Sequence, residues 1–478
     1  MYGEDEDEEL GLLGGSGDWD LERWWYKLAH VCQRWRKLIL RSSSYLGICL
    51  VCSKGTPVAD MLARSPPLPL VVDYFHEPEH SEIAAKDEEG LLFALEQRDR
   101  VRRIRLRMGI TNIQKFIMAI NGEYPILGYL IIIPFVEDTP FFLSETLRAP
   151  YLRHLYISRF SLPIKSPLLT TATSLVTLFL NISSPTTCFL PNTLLEWISF
   201  MPELETLVIY FSFDDPGGDV DRLLSSLPVI KLVTLPNLRW FWLQGGSAYL
   251  EALLRQIVTP RLERLEFLFF EQPTFSVPHL VEFINRTENL RFRGVTVDFS
   301  REQVDTAMIF PGNVENSIYM RVVSPHLDRQ VSSMAQIFSL FNTTLFAVEH
   351  LILSGEEHSY SSGEHNEVDR REWHKLLRPF QKVKTLRMDY ELVEEFSRCL
   401  RPDDEGRPSD LFPELQEITY SGGGDVDDVF TSFIDARQTA DRPITLVRRC
   451  ISPDTSSSIS ISSNETGSSS RSESRAVE

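Results

Sequence analysis

Residues 152–157 read Leu152-Arg153-His154-Leu155-Tyr156-Ile157, and residues 175–180 read Leu175-Val176-Thr177-Leu178-Phe179-Leu180. Both spell apolar-x-x-apolar-x-apolar. The pattern appears earlier as Val101/Ile104/Leu106 and Leu127/Leu130/Ile132. It returns as Leu204/Leu207/Ile209, Leu238/Phe241/Leu243, Leu262/Leu265/Phe267, Val348/Leu351/Leu353, Val383/Leu386/Met388 and Leu415/Ile418/Tyr420. Neighbouring matches lie 23 to 35 residues apart, except across the long gap from Leu262 to Val348. A proline often comes just before, as in Ala149-Pro150, Met201-Pro202, Leu235-Pro236, Thr259-Pro260 and Phe412-Pro413.

A motif returning at such a period marks a repeat array, and this spelling is that of a leucine-rich repeat. Each unit supplies a short strand and a connecting helix or turn. No unit buries its own apolar face, so the units stack into a solenoid, expected over 98–450. The helical halves are amphipathic stretches at Phe116–Ile120, Leu194–Phe200, Ala248–Ile257 and Leu280–Asn285. The gap over 290–345 holds one weak unit near Ile318 and Met320, or an insertion. An ordinary α/β domain with leucine-patterned strands is the rival fold. Along a strand, side chains alternate between faces, so the residue between the last two apolar positions points away from the core. Tyr156, Phe179 and Trp242 hold such positions. They are residue types that anchor interfaces and are the candidates for substrate binding, unless each packs against a neighbouring loop.

The chain has 478 residues, 43% hydrophobic, with a net charge of −19. That balance opposes general nucleic-acid binding, which needs a positive surface. The longest apolar run, Ile126 to Val136, is interrupted by Gly128 and Pro134 and is too short for a membrane span. The acidic opening Glu4-Asp5-Glu6-Asp7-Glu8-Glu9 does not resemble a secretion signal. With only six cysteines, a reducing, intracellular setting is expected, cytoplasmic or nuclear. Residues 1–17, acidic and then glycine-rich, and 451–478, serine-rich with the Ser452-Pro453 pair, are expected to be disordered. Residues 47–97 are expected to form a linker or capping region.

Motifs for chemistry are few. His76-Glu77-Pro78-Glu79-His80 matches H-E-x-x-H, but Pro78 breaks the helical turn that a zinc site needs. Cys49-Leu50-Val51-Cys52 has no second pair, and on a strand its two thiols face opposite ways. No phosphate loop and no nucleophile elbow is present. No catalytic, cofactor or metal residue is assigned, and the chain is expected not to be an enzyme. The basic run Arg98, Arg100, Arg102, Arg103, Arg105 and Arg107 is expected to be a solvated face neutralised by Glu88, Glu89, Glu96 and Asp99.

Residues 18–41 carry Trp24, Leu28, Val31, Cys32, Trp35, Leu38 and Ile39 at steps of three and four, which predicts one amphipathic helix. Leu28-Ala29-x-Val31-Cys32-x-x-Trp35-Arg36 resembles the second half of an F-box, expected over 18–46. The following Gly55-Thr56-Pro57 and Pro67-Leu68-Pro69-Leu70 look like the continuation in F-box proteins of the basidiomycete fungal type, which then run into irregular repeats. The opening Leu-Pro-x-Glu segment of the box is not found in residues 1–17, so a box lacking its first helix is expected. The resemblance implies an α/β chain: a short all-α F-box-like segment, then an irregular leucine-rich-repeat solenoid. It implies a substrate receptor of an SCF-type ubiquitin ligase, with a Skp-type adaptor, a cullin scaffold and a protein substrate as partners. Leu28, Val31, Cys32, Trp35 and Leu38 would form the adaptor-side helix face. The alternative is a repeat scaffold with a remnant box and no ligase role.

Overall fold

The computed structural model describes residues 24–42, 46–75, 83–135, 141–163, 166–182, 189–211, 232–309, 317–355, 370–400, 410–421 and 427–449. The acidic segment 1–17, the His76–His80 motif and the serine-rich segment from 451 lie outside the described residues. The first elements are α1 (Trp24–Ala29), α2 (Gln33–Arg41), β1 (Leu50–Cys52), α3 (Val58–Arg64), β2 (Leu70–Tyr74), α4 (Ala85–Glu96), β3 (Val101–Met108), α5 (Ile110–Ala119) and β4 (Tyr129–Pro134). Next come β5 (Phe141–Phe142), β6 (His154–Ser158), β7 (Phe160–Ser161), α6 (Pro167–Thr171), β8 (Thr177–Ile182), α7 (Pro191–Ser199) and β9 (Thr206–Phe211). The middle holds β10 (Val233–Thr234), β11 (Trp240–Gly245), α8 (Ser247–Leu254), β12 (Ile257–Val258), β13 (Arg264–Phe269), α9 (Pro278–Arg286), β14 (Gly294–Phe299), β15 (Gln303–Ile309) and β16 (Ser317–Val323). The chain continues through α10 (Leu327–Leu340), α11 (Asn342–Leu345), β17 (His350–Gly355), α12 (Arg370–Leu377) and β18 (Thr385–Asp389). It closes with α13 (Tyr390–Leu400), β19 (Glu417–Ser421), α14 (Asp427–Thr439) and β20 (Thr445–Arg449).

One 16-stranded sheet carries the fold, in the order β1-β2-β3-β4-β6-β8-β9-β11-β13-β16-β15-β14-β17-β18-β19-β20. This is the α/β repeat solenoid that the triplets predict. The second apolar residue of each triplet opposes its counterpart on the next strand. The row runs Ile104, Leu130, Leu155, Leu178, Leu207, Phe241, Leu265 on the first seven triplet strands. All three residues of each of the ten triplets lie buried in one core. The buried apolar side chains of the helices belong to that same core, so the helices pack on one face of the sheet.

A turn explains why two residues separate the first and second apolar positions. The N–H of the first one donates to the carbonyl three residues back: Leu152 to Ala149 at 3.1 Å, Leu204 to Met201 at 3.2 Å, Leu262 to Thr259 at 3.3 Å and Leu415 to Phe412 at 3.1 Å. Pro150, Pro202, Pro260 and Pro413 follow those carbonyls, where a turn wants φ near −65° and no donor. The turn buries a leucine and then releases the chain into the strand.

The gap between Leu262 and Val348 holds the unit expected near Ile318 and Met320, on β16, together with two inserted strands. β16 pairs parallel to β13, and β14 pairs parallel to β17; β15 runs antiparallel between them. Val295, Met308 and Ile318 continue the core row through this insertion. A further difference lies at the first edge, where residues 24–41 form two helices, not one. His30 and Val31 donate to the carbonyls of Lys27 and Leu28, three residues back, which ends α1. Cys32 is fully extended, at φ −161° and ψ 168°. Arg36 Nε donates to the carbonyl of Ala29 at 3.0 Å and so holds α2 against the end of α1. Trp25, Ala29 and Ile39 pack into the sheet's own core, and Trp25 Nε1 donates to the Cys49 carbonyl at 3.3 Å. Strands β1 and β2 already belong to the sheet. Cys52 lies in the main core, and Cys49 lies with Val51 and Val71 in a separate cluster, so the two thiols face apart.

Neighbouring repeats are also joined by polar contacts. The first turn of α9 has no capping side chain of its own. Glu251, buried on α8, accepts from the His279 N–H at 2.7 Å and from the Leu280 N–H at 2.8 Å. A carboxylate there satisfies two donors that a helix start leaves unpaired and opposes the positive end of the helix dipole. Glu251→Ala should lower stability by about 1–3 kcal/mol, the cost of two buried unsatisfied donors. Glu251→Gln, which keeps one acceptor oxygen, should lose less; urea denaturation midpoints compare the two.

Candidate functional site

The face of the sheet opposite the helices is built by the residues that alternate with the core row. Strand register sets them in rows. The central row is Asp73, Arg105, Ile131, Tyr156, Phe179, Val208, Trp242, Glu266 and Tyr319 on β2 to β16. Tyr156, Phe179 and Trp242 therefore share one row, as their place in the triplets predicts. A second row carries Arg103, Tyr129, His154, Thr177, Thr206, Trp240 and Arg264.

These side chains cover one another. Ring centroids of Tyr156 lie 5.9 Å from Tyr129 and 5.9 Å from Phe179. Tyr210 stacks on Trp242 at 5.4 Å and 11°. Tyr156 and Trp242 are only 8% exposed, and Phe179 is half-buried. The expectation that these residues stand out into solvent is corrected here: wide aromatic side chains on strands a few ångströms apart lie against each other. Phe75, Ile131 and Tyr156 form a small apolar cluster of their own on this face. Burial pushes the Tyr156 phenol above its ordinary range, and the neighbouring Tyr129 adds to that.

The basic run is placed differently from its expected solvated face. Arg105 is 2% exposed, packed over the Phe75 ring at 4.3 Å with Asp73 at 3.8 Å. Arg103 lies over Tyr129 at 5.0 Å, and Arg107 over Phe135 at 5.0 Å. Glu88, expected to neutralise the run, pairs with Lys115 at 2.8 Å instead. The pairing of guanidinium with ring recurs farther along, with Arg264 over Trp240 at 5.0 Å and Arg321 over Tyr319 at 5.7 Å. Arg264 also meets Glu266, and Arg321 holds Asp305 at 2.7 Å and the Tyr319 hydroxyl at 2.9 Å. Burial raises the Glu266 carboxyl above the usual range, against the pull of Arg264. Tyr129, Tyr210, Trp240 and Tyr319 went unnoticed in the sequence. All but Tyr319 stand two residues before or after the central row, and that alternation is the signal that would have found them. Beyond β16 the central row carries no further aromatic ring and continues as Ala307, Thr296, Ile352, Arg387 and Thr419.

At the first edge, the five residues of the F-box-like pattern divide. Leu28 is half-buried against the core. Val31, Trp35 and Leu38 are 63%, 46% and 56% exposed, and Cys32 is exposed beside them. Among the described residues, no group of three His, Cys, Asp or Glu side chains is placed to hold a metal ion. No described helix is long and apolar enough to cross a membrane.

No family model and no curated protein matches the chain. Among solved structures, the chain is similar to the leucine-rich repeat-containing protein LegL7 from Legionella pneumophila, at 10% identity and a TM-score of 0.26. That alignment covers 81% of this chain and 97% of the other.

His154 sits in the second row, 5.4 Å from the Tyr129 ring, with Nδ1 3.2 Å from Thr177 Oγ1. Burial, then Arg153 and Arg103, hold it below the ordinary histidine range. The folded chain therefore binds fewer protons than the unfolded chain, and stability falls as pH drops through about 6.5. His154→Gln should flatten that fall, read as denaturation midpoints between pH 7.5 and 5.5.

Proposed function

We propose that this chain is a non-catalytic scaffold that binds a protein partner on the open face of its repeat sheet. The row Tyr156–Phe179–Val208–Trp242 carries this reading. It concentrates aromatic side chains, flanked by arginines, on one half of a continuous sheet, and such residues dominate interface energy. The finer reading is a substrate receptor of an SCF-type ubiquitin ligase, with a Skp-type adaptor at α1–α2, the cullin scaffold beyond it and the substrate on the aromatic row. The exposed stripe Val31, Trp35 and Leu38 favours it, because an apolar face left to water on a two-helix unit is a binding feature. The packing of Trp25, Ala29 and Ile39 into the repeat core favours the scaffold without a ligase role, since those positions are not free to meet an adaptor.

Co-purification with the Skp-type adaptor separates the two. Wild type should be captured, and the Trp35→Ala, Leu38→Ala double variant should not, with unchanged thermal stability because both side chains are exposed. No capture of a folded wild-type chain leaves the scaffold reading alone. In a partner screen, Phe179→Ala should weaken binding by about 1–3 kcal/mol, the range of an interface anchor. Loss of binding with Thr419→Ala instead would move the footprint to the half of the face beyond β16.

A further inference from the structure

The segment from Trp24 to Ser42 contains Lys27, Arg34, Arg36, Lys37 and Arg41 and no acidic residue, in a chain of net charge −19. Arg36 is used internally, on the Ala29 carbonyl. Lys27, Arg34, Lys37 and Arg41 are exposed, and among the described residues none of them meets a carboxylate. On α2 the cations recur at 34, 37 and 41, and the exposed apolar Trp35 and Leu38 stand beside them, with exposed Val31 just before the extended Cys32. On α2 these are two adjacent stripes, one basic and one apolar, both at helical spacing. A solvated face accounts for the cations alone; it does not account for Val31, Trp35 and Leu38 left in water beside them. The surface therefore fits an acidic segment that also brings leucines.

The chain carries such a segment. Residues 4–13 read Glu-Asp-Glu-Asp-Glu-Glu-Leu-Gly-Leu-Leu: six carboxylates, then Leu10, Leu12 and Leu13. Trp24 lies eleven positions after Leu13, a reach of up to roughly 36 Å, while α2 is about 14 Å long. We propose that residues 4–13 occupy this face of α1–α2 in the same chain, carboxylates on Lys27, Arg34, Lys37 and Arg41, leucines on Val31, Trp35 and Leu38. A short tether makes the effective concentration of the segment millimolar, so a weak contact suffices. This goes beyond the adaptor reading and stands without it: any partner at α1–α2 then competes with residues 4–13.

Cys32 lies exposed on this face, while Cys52 and Cys399 are buried, with burial pushing both thiols up to about 12. The test is the iodoacetamide alkylation rate of Cys32 in the full chain, read by peptide mass mapping. One variant carries Glu→Gln and Asp→Asn at residues 4–9; another carries Leu→Ser at 10, 12 and 13. Both should alkylate Cys32 at least about fivefold faster than wild type, the ratio expected for a segment bound most of the time. The leucine variant keeps the charge, so its acceleration reports contact rather than a change in the field at the thiol. Silence of Cys52 and Cys399 confirms that each variant is folded. Equal rates in wild type and either variant overturn the proposal. Protection that grows with protein concentration also overturns it and assigns the contact to a second copy. The assay contains no adaptor, so its outcome is independent of the ligase reading.

Discussion

The structure depends on one constraint: the unbroken row of inward side chains from Cys52 through Val72 and Ile104 to Leu446. A parallel sheet of short strands is costly to order, because each pairing closes a loop of some 25 residues before any contact rewards it. What offsets that cost is that each new strand lays two apolar side chains on an existing row and a helix closes over them. Moving any strand by one residue would turn its apolar set to the other face, so register is strongly specified. The insertion at β14–β16 obeys the same constraint. Its strands reverse direction, yet Val295, Met308 and Ile318 stay in the row, because cross-strand partners share a face in antiparallel pairs too. In the next row Thr306 is fully buried and its hydroxyl donates to Met334 Sδ at 3.9 Å, a weak acceptor.

The solenoid was legible because each unit writes its turn and its strand in consecutive residues. Leu152, Leu155 and Ile157 state both the buried turn position and the two inward strand positions, and Pro150 announces the turn. The insertion was only half legible. Phe292, Val295 and Val297 repeat the triplet spelling, but nothing in that spelling says that an antiparallel strand, β15, stands between this unit and β16. The break at His30–Cys32 also left no mark, since no glycine or proline produces it. Three-residue turn bonds and the Arg36 contact with Ala29 decide it, and neither follows from periodicity. On the open face, membership of Tyr156, Phe179 and Trp242 in one row was legible from the triplets, but their mutual burial was not. Burial there depends on which residue stands on the next strand, 23 to 34 positions away.

The arginines on that open face illustrate how an acidic chain holds cations on a sheet against rings and acids, with Arg105 buried, Arg321 half-buried and Arg264 exposed. A guanidinium is weakly hydrated and flat, so it tolerates a ring beneath it and a carboxylate at its edge. Arg105 has both, in Phe75 and Asp73; Arg264 has Trp240 and Glu266; Arg321 has Tyr319 and Asp305. Lysine would lose the stacking, and an apolar residue would strand the buried acid. These trios stiffen the first two thirds of the face, where the aromatic row also lies, and none of the described strands beyond β16 repeats them.

The two candidate surfaces are mechanically one object. Were α1–α2 joined to the repeats by a linker, a protein held at the helices would sample many positions relative to one held on the sheet. Instead Trp25, Ala29 and Ile39 are part of the repeat core, and Trp25 is hydrogen-bonded to the chain entering β1. The helices that would have formed a separate docking module instead serve as the cap that a solenoid end requires. Capping costs the box-like segment part of its apolar face and fixes the remainder, Val31, Trp35 and Leu38, at a set offset from the aromatic row. A partner at one surface is then positioned against a partner at the other by buried packing, and loosening that packing at Trp25 would uncouple the two while leaving each surface chemically intact.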